Sequence, residues 1–256
     1  MTGNAPAATR ALSALRLLAT APGPVTAAAL ARQLGIPRSS TYHLLAAMSA
    51  AGFVTHYPEE ERWGLGVGAF EVGAAYLRHD PLERLGRPLL NRLGHDVAAL
   101  VPAVAHLGVL HGRETLYLVR ESPATPVTVV VDVGVRLPAA LTASGRAMLA
   151  ELPAAQLRAL FPTKDAFVDR TGAGPTSMTA LTRLLAVERA RHWSEEDGFV
   201  VPGFASVAVA ALDRSGRPVA SIGLTFRSER ADGPMRVELA RAAMRTAREL
   251  SRRLGA

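Results

Sequence analysis

A chain of 256 residues that is 49% apolar can bury a core in each of two domains, and its lack of cysteine excludes disulfides, thiolate nucleophiles and Cys-ligated zinc or iron–sulfur centres. No apolar run reaches the roughly 18 residues of a membrane span, and Met1–Arg10 lacks a signal core, so a soluble, cytoplasmic and nucleoid-associated protein is expected. Arginine carries almost all of the +7 formal charge, and residues 1–58 hold Arg10, Arg16, Arg32 and Arg38 with no Asp or Glu, a distribution suited to a polyanion partner.

In chain order, Thr9 is placed to cap a helix built on Leu12, Leu15 and Leu18, which Ala21-Pro22-Gly23-Pro24 ends. Thr26 caps a second helix, Ala27–Leu34, closed by Gly35, where left-handed backbone costs little. Pro37 opens a third, running through Leu44, Leu45 and Met48 to Gly52. Phe53–Tyr57 and Arg62–Leu65 read as strands around a Pro58–Glu61 turn. Helix, helix, tight turn, helix and hairpin make a winged helix-turn-helix over 1–66.

A linker helix covers 67–80, and Asp80-Pro81-Leu82-Glu83 starts another helix reaching about His95. The second domain, 81–256, mixes strands (Ala103–Leu110, Thr115–Glu121, Val127–Asp132, Ser206–Asp213, Val219–Phe226) with helices (Thr142–Glu151, Ala154–Phe161, Thr179–Trp193, Met235–Leu254). Hairpin-connected strands with separate helices indicate an α+β fold.

The densest chemistry lies at the start of the third helix. A recognition helix enters the major groove with its N-terminal residues foremost, so that end needs small polar groups and a cation. Arg38, Ser39, Ser40 and Thr41 supply them, and Tyr42 and His43 follow a turn later. Thr26 at the preceding helix start and Arg62 on the wing complete the candidate DNA contacts. Glu59-Glu60-Glu61 at the wing tip would be repelled by phosphates, so the tip is expected to face solvent, with Trp63 as an anchor beneath the wing.

Elsewhere, Arg241, Arg245, Arg248 and Arg252 form one stripe on the last helix, read as a solvated face. His95, His106 and His111 lack metal-helix spacing, and no Gly-x-Ser-x-Gly elbow or P-loop occurs, so neither a metal nor a catalytic site nor a cofactor is expected. A small-molecule-processing α+β enzyme with a helical N-terminal extension stands as the alternative.

The segment Val25–Gly66, with its Leu-Ala-Arg-Gln-Leu-Gly-Ile-Pro-Arg-Ser-Ser core (30–40) and Gly52-Phe53-Val54, resembles the DNA-binding domain of the IclR family of bacterial regulators. Arg87-Pro88-Leu89-Leu90, Gly134–Pro138 followed by Thr142–Ala150, Gly203–Ala208 and Leu250–Gly255 continue the resemblance along the chain. It implies a GAF-like effector domain, a pseudo-palindromic operator in double-stranded DNA, a small-molecule effector, often repression, and dimers or tetramers assembled partly through the N-terminal domain. On matching positions it implies an effector site at Ala143, Ser144, Glu196, Ser206, Gly223 and Thr225. His106, on a neighbouring strand, could face that site or be a hydrogen-bonded sheet residue. Ala140, Ser206, Gly223 and Gly198-Phe199 replace the His, Cys, Ser and Glu-Glu usual in the family. Those departures imply an effector larger or more apolar than a small 2-keto acid, still bearing one anionic or carbonyl group.

Overall fold

The computed structural model describes residues 5–79, 81–122 and 131–255. The chain divides into two compact units, Met1–Asp80 and Pro81–Ala256.

The first unit runs α1 (Pro6–Thr20), β1 (Val25–Thr26), α2 (Ala27–Leu34), α3 (Arg38–Ala50), β2 (Val54–Tyr57), β3 (Arg62–Leu65) and α4 (Val67–His79). Thr9 does not cap α1. Pro6 already stands in the first turn, where its missing N–H costs nothing, and the Thr9 hydroxyl donates back to the Ala5 carbonyl at 3.3 Å. Thr26 does cap α2, its Oγ1 accepting from the Ala29 amide at 3.3 Å, and Gly35 takes the left-handed conformation with φ 64°. The hairpin β2–β3 gains a third, two-residue strand, β1, paired with Trp63 and Arg62, in the order β1-β3-β2. Leu30 and Leu45, wholly buried, lie at the centre of a core completed by Ala14, Leu18, Ala27, Met48, Val54 and Trp63. Gly66 is required where the wing returns: a Cβ there would lie 2.3 Å from the Gly52 carbonyl oxygen.

The second unit contains α5 (Pro81–Ala98), β4 (Val104–His111), β5 (Glu114–Glu121), β6 (Arg136–Pro138), α6 (Ala143–Ala150), α7 (Ala154–Leu160), α8 (Met178–Arg191), β7 (Ser194–Asp197), β8 (Phe204–Leu212), β9 (Pro218–Arg227) and α9 (Gly233–Arg253). The strands form one antiparallel sheet in the order β6-β5-β4-β9-β8-β7. Helices α5 and α9 pack on one face over Leu107, Val207, Ile222 and Leu224. Helix α6 packs on the other, with Ala143 and Ala147 against Ala208, and α8 packs beside it. With both faces covered, β8 reads as a near-continuous apolar run, Phe204–Leu212, rather than an alternating one.

Three strands escaped the sequence reading, the two-residue β1 and two in this unit. Strand β6 has only three residues, and β7 is Ser-Glu-Glu-Asp, which no β-propensity would select; it forms because Ser194–Asp197 pair with Ala205–Ala208 of β8. The predicted strand Val127–Asp132 falls largely outside the described residues, and its described end, Val131–Asp132, has no strand conformation. The predicted cap Asp80 also lies outside them. Arg241, Arg245, Arg248 and Arg252 are exposed along α9, with Arg241 and Arg252 near Glu238 and Glu249 at 3.7 and 2.8 Å.

Candidate functional site

In the first unit, the start of α3 is presented to solvent. Arg38, Ser39, Ser40 and His43 are exposed, and Tyr42 is 55% exposed. No side chain caps this helix, so its first-turn amides can meet an anion. Thr41 is not part of this edge. It is fully buried, in line with Leu45 and Met48 on the inner face, and its hydroxyl donates to the Pro37 carbonyl at 3.1 Å. Thr26 is half-buried with its hydroxyl engaged as the α2 cap. Arg62 is partly exposed but tied down, its Nη1 donating to the Pro24 carbonyl at 2.8 Å. His56 stacks on Trp63 with centroids 4.4 Å apart, and Trp63 is buried as the anchor of the wing. The three glutamates of the tip are exposed around a short 3₁₀ turn, with Glu61 in left-handed backbone.

In the second unit, a cavity of about 270 Å³ opens beside the first residues of α6. Ala143, Ser144, Glu196, Ser206 and Thr225 line it, so sheet order brings together five of the seven residues proposed for the effector. His106 and Gly223 lie behind its wall. A Cβ on Gly223 would come within 2.2 Å of His106 Cε1, so glycine here makes room for the imidazole. Tyr117, Val131, Leu137, Val200, Val201 and Phe204 supply an apolar lining that the sequence reading did not name. Leu137 sits on the short β6 and Val200, Val201 and Phe204 on or before β8, and their hydrophobicity was the only local signal. A wider groove of about 440 Å³ beside Trp193 and Met244 has its arginines, Arg248 and Arg252, exposed rather than turned inward.

Behind the cavity, His106 Nε2 lies 2.9 Å from Thr225 Oγ1, and Thr225 Oγ1 lies 3.0 Å from Ser206 Oγ. Ser206 donates to Glu196 Oε1 at 2.8 Å, and the Phe199 amide donates to Glu196 Oε2 at 3.1 Å. Ser144 Oγ approaches His106 Nδ1 at 3.4 Å, and the Tyr117 ring meets the imidazole edge-on. Burial governs the ionisation of this group. It pushes Glu196 up to about 7 against the opposing pull of Ser206, the Phe199 amide and Arg146, lowers His106 to about 3, and raises the Tyr117 phenol.

These shifts have opposite consequences for stability. Between the ordinary Glu value and about 7, the folded chain holds a proton on Glu196 that the unfolded chain has released, so stability falls as pH rises. Between about 3 and the ordinary His value, the unfolded chain holds a proton that folded His106 lacks, so stability rises with pH. The two slopes cancel where the windows overlap, between 4.5 and 6.5. Glu196→Gln removes one of them. In urea titrations this variant should lose about 1.4 kcal/mol per pH unit relative to wild type on acidification through that window; parallel stability profiles would contradict the assignment.

The IclR helix-turn-helix domain family matches residues 7–58, and the family of bacterial transcriptional regulator IclR C-terminal domains matches residues 74–252. The chain is 31% identical over 258 residues to the glycerol operon regulatory protein of Streptomyces coelicolor, covering 100% of this chain and 99% of that protein. It superposes on the IclR transcriptional regulator from Alicyclobacillus acidocaldarius with TM-score 0.86 at 21% identity, covering 99% and 100% of the two chains. With an IclR homologue from Microbacterium hydrocarbonoxydans, solved in complex with 4-hydroxybenzoate, the TM-score is 0.80 at 20% identity over 97% and 98%. The enzyme alternative is set aside, because the family is regulatory. Both halves of the chain, the exposed helix start and the cavity domain, therefore fall within one family, and the protein belongs to the IclR transcriptional regulators of bacteria.

Proposed function

We propose that the protein binds a pseudo-palindromic operator through α3 and that the C-terminal cavity receives a small effector, a carboxylate or carbonyl compound with an apolar body, which alters DNA affinity. The observation that carries the DNA half is the exposed edge Arg38, Ser39, Ser40, Tyr42 and His43 on a helix with an uncapped N-terminus, in a unit whose first 58 residues contain no acid. Arg62 and the Thr26 region flank that edge as backbone-positioning groups. The effector half rests on the cavity itself. Its volume is small, its wall largely apolar, and Ala143 and Ser144 place a helix start, which attracts a negative group, at one end. The 4-hydroxybenzoate held by the structural relative is a molecule of that description. We place the working protein in the cytoplasm as a homodimer or tetramer. Val67 and Phe70, one turn apart on α4 and 67% and 73% exposed, offer an apolar patch to a second copy.

A gel shift with DNA from upstream of the gene tests the first half. Arg38→Ala and Tyr42→Ala should each weaken specific binding roughly 5- to 150-fold, corresponding to about 1–3 kcal/mol for a good base contact. Unchanged affinity in both variants would move the reading surface elsewhere. Benzoate and 4-hydroxybenzoate should shift the operator titration where pyruvate does not; the reverse result would overturn the effector class.

A further inference from the structure

Five polar side chains, four on the cavity wall and His106 behind it, are connected in series across five elements. From Ser144 on α6 the links pass to His106 on β4 (3.4 Å), Thr225 on β9 (2.9 Å), Ser206 on β8 (3.0 Å) and Glu196 on β7 (2.8 Å). Both ends, Ser144 and Glu196, line the cavity, as do Ser206 and Thr225, while His106 is buried at 1% exposure. Every hydroxyl has one proton to give, and a neutral imidazole has one N–H and one lone-pair nitrogen. A series built this way has two complete arrangements, and the group at its end selects between them.

An ionised Glu196 can only accept. Ser206 then donates to it, Thr225 donates to Ser206, His106 carries its proton on Nε2 and donates to Thr225, and Ser144 donates to Nδ1. Ser144 is left offering the cavity only its oxygen lone pairs. A protonated Glu196 reverses every link. Its proton belongs on Oε1, because Oε2 accepts from the Phe199 amide. Glu196 donates to Ser206, Ser206 to Thr225, and Thr225 to Nε2. His106 carries its proton on Nδ1 and donates to Ser144, whose hydroxyl is released to donate on the cavity side, where the neutral Tyr117 hydroxyl also hydrogen-bonds it.

We propose that this series is a switchable proton conduit, in which protonation of Glu196 makes Ser144 a donor, so that the cavity takes a carboxylate together with one proton. The proposal rests on the reading of this cavity as the effector site. When a carboxylic acid arrives at Ser144, its O–H bond breaks as a new Ser144 O–H forms, and the old Ser144 proton passes to His106 Nδ1. The Nε2 proton passes to Thr225, the Thr225 proton to Ser206 and the Ser206 proton to Glu196. Five bonds to hydrogen break and five form, nothing is oxidised or reduced, and the ligand remains as a carboxylate at the start of α6. When the ligand arrives ionised, the same end state is reached with one proton drawn from solvent.

The surroundings of Glu196 favour holding that proton. Arg146 on α6 faces it, but its guanidinium is bound by Glu188 of α8. On its own strand Asp197 faces it with like charge, while Glu195 is held by Arg191 and Arg236 and Asp197 itself by Arg236. Tyr117 from β5 and His106 from β4 stay neutral, and Ser206, Thr225 and the Phe199 amide are dipoles. Burial holds the carboxyl near neutrality in its titration, within reach of physiological pH.

The tautomer of His106 reports the direction of the series without any ligand. Long-range proton–nitrogen correlation on the full chain labelled with ¹⁵N-histidine, with His106 assigned from a His106→Asn sample, should show the Nε2–H form at about pH 9 and the Nδ1–H form at about pH 5.5, never the imidazolium. Glu196→Gln should hold the Nδ1–H form throughout, since the Phe199 amide fixes the Gln carbonyl and turns its NH₂ to Ser206. Ser206→Ala should make the tautomer indifferent to pH. One tautomer at both extremes in the wild type overturns the proposal. With benzoate as the probe, calorimetry in two buffers of different ionisation enthalpy should find about one proton taken up per molecule above neutrality, and affinity should fall about tenfold per pH unit there. Benzamide should show neither effect. Benzoate binding without proton uptake also overturns the proposal. If the tautomer follows pH but neither acetate, benzoate nor 4-hydroxybenzoate binds, the conduit is upheld and the effector reading of the cavity is what fails.

Discussion

Arg146→Ala should lower the stability of the C-terminal unit by about 3–5 kcal/mol, the range for removing one partner of a buried ion pair. Arg146 has no exposed surface, and each of its three guanidinium nitrogens donates. Nε donates to both oxygens of Glu188 at 3.0 and 3.1 Å, Nη1 to the carbonyls of Ala140 and Leu141 at 3.1 Å each, and Nη2 to the carbonyl of Glu195. The Phe199 ring lies 5.1 Å from its central carbon. Alanine would leave a buried carboxylate and three carbonyls without their donor. Replacing both partners by apolar residues should not rescue the loss, as it can elsewhere, because Ser194 and the Glu195 amide also donate to Glu188 and would be orphaned with those carbonyls. Arg146→Lys keeps the charge but not the planar fork, so it should recover part of the stability. Urea unfolding followed by fluorescence checks this. A midpoint within error of wild type for Arg146→Ala would show that the pair contributes nothing. The residue is also the link between the cavity and the rest of the unit, since it holds the turn before α6 on one side and the strand bearing Glu196 on the other.

Leu45→Ala should cost about 2–5 kcal/mol, nearly all of it in the N-terminal unit. Leu45 is wholly buried beside Leu30, Val54 and Trp63, in a core of eight residues that serves helices and wing together. A unit of this size buries proportionally little surface and has little stability to spare. Unfolding should then split into two transitions, the first abolishing operator binding while benzoate still binds. Leu45→Ala and Arg146→Ala should act on different transitions. A single cooperative transition shifted equally by both would show that the two units fold as one.

The exposed edge of α3 was legible because helix periodicity is local. Pro37 and Gly52 bound α3, and Leu44, Leu45 and Met48 mark its inner face. The same periodicity should have reassigned Thr41, which precedes Leu45 by one turn and is buried with it; its hydroxyl chemistry outweighed its position in the reading. Arg146 was passed over for the opposite reason. A lone arginine in the all-buried helix Ala143–Ala150 signals a partner, but Glu188 is 42 residues away and nothing local points to it.

What the residues decided alone was local: where helices start and stop, which faces are apolar, the acid-free stretch, and the order of motifs that mark the family. Strand order and register were decided only in three dimensions: His106 opposite Gly223 pairs segments far apart in the chain, and Glu196 opposite Ser206 pairs a strand that its own residues do not select. Even β7 exists only because β8 offers it a ladder of backbone hydrogen bonds. Hydrophobic pattern fixes which face of a strand turns inward, but not which strand lies beside it, and so not which polar side chains meet behind a cavity.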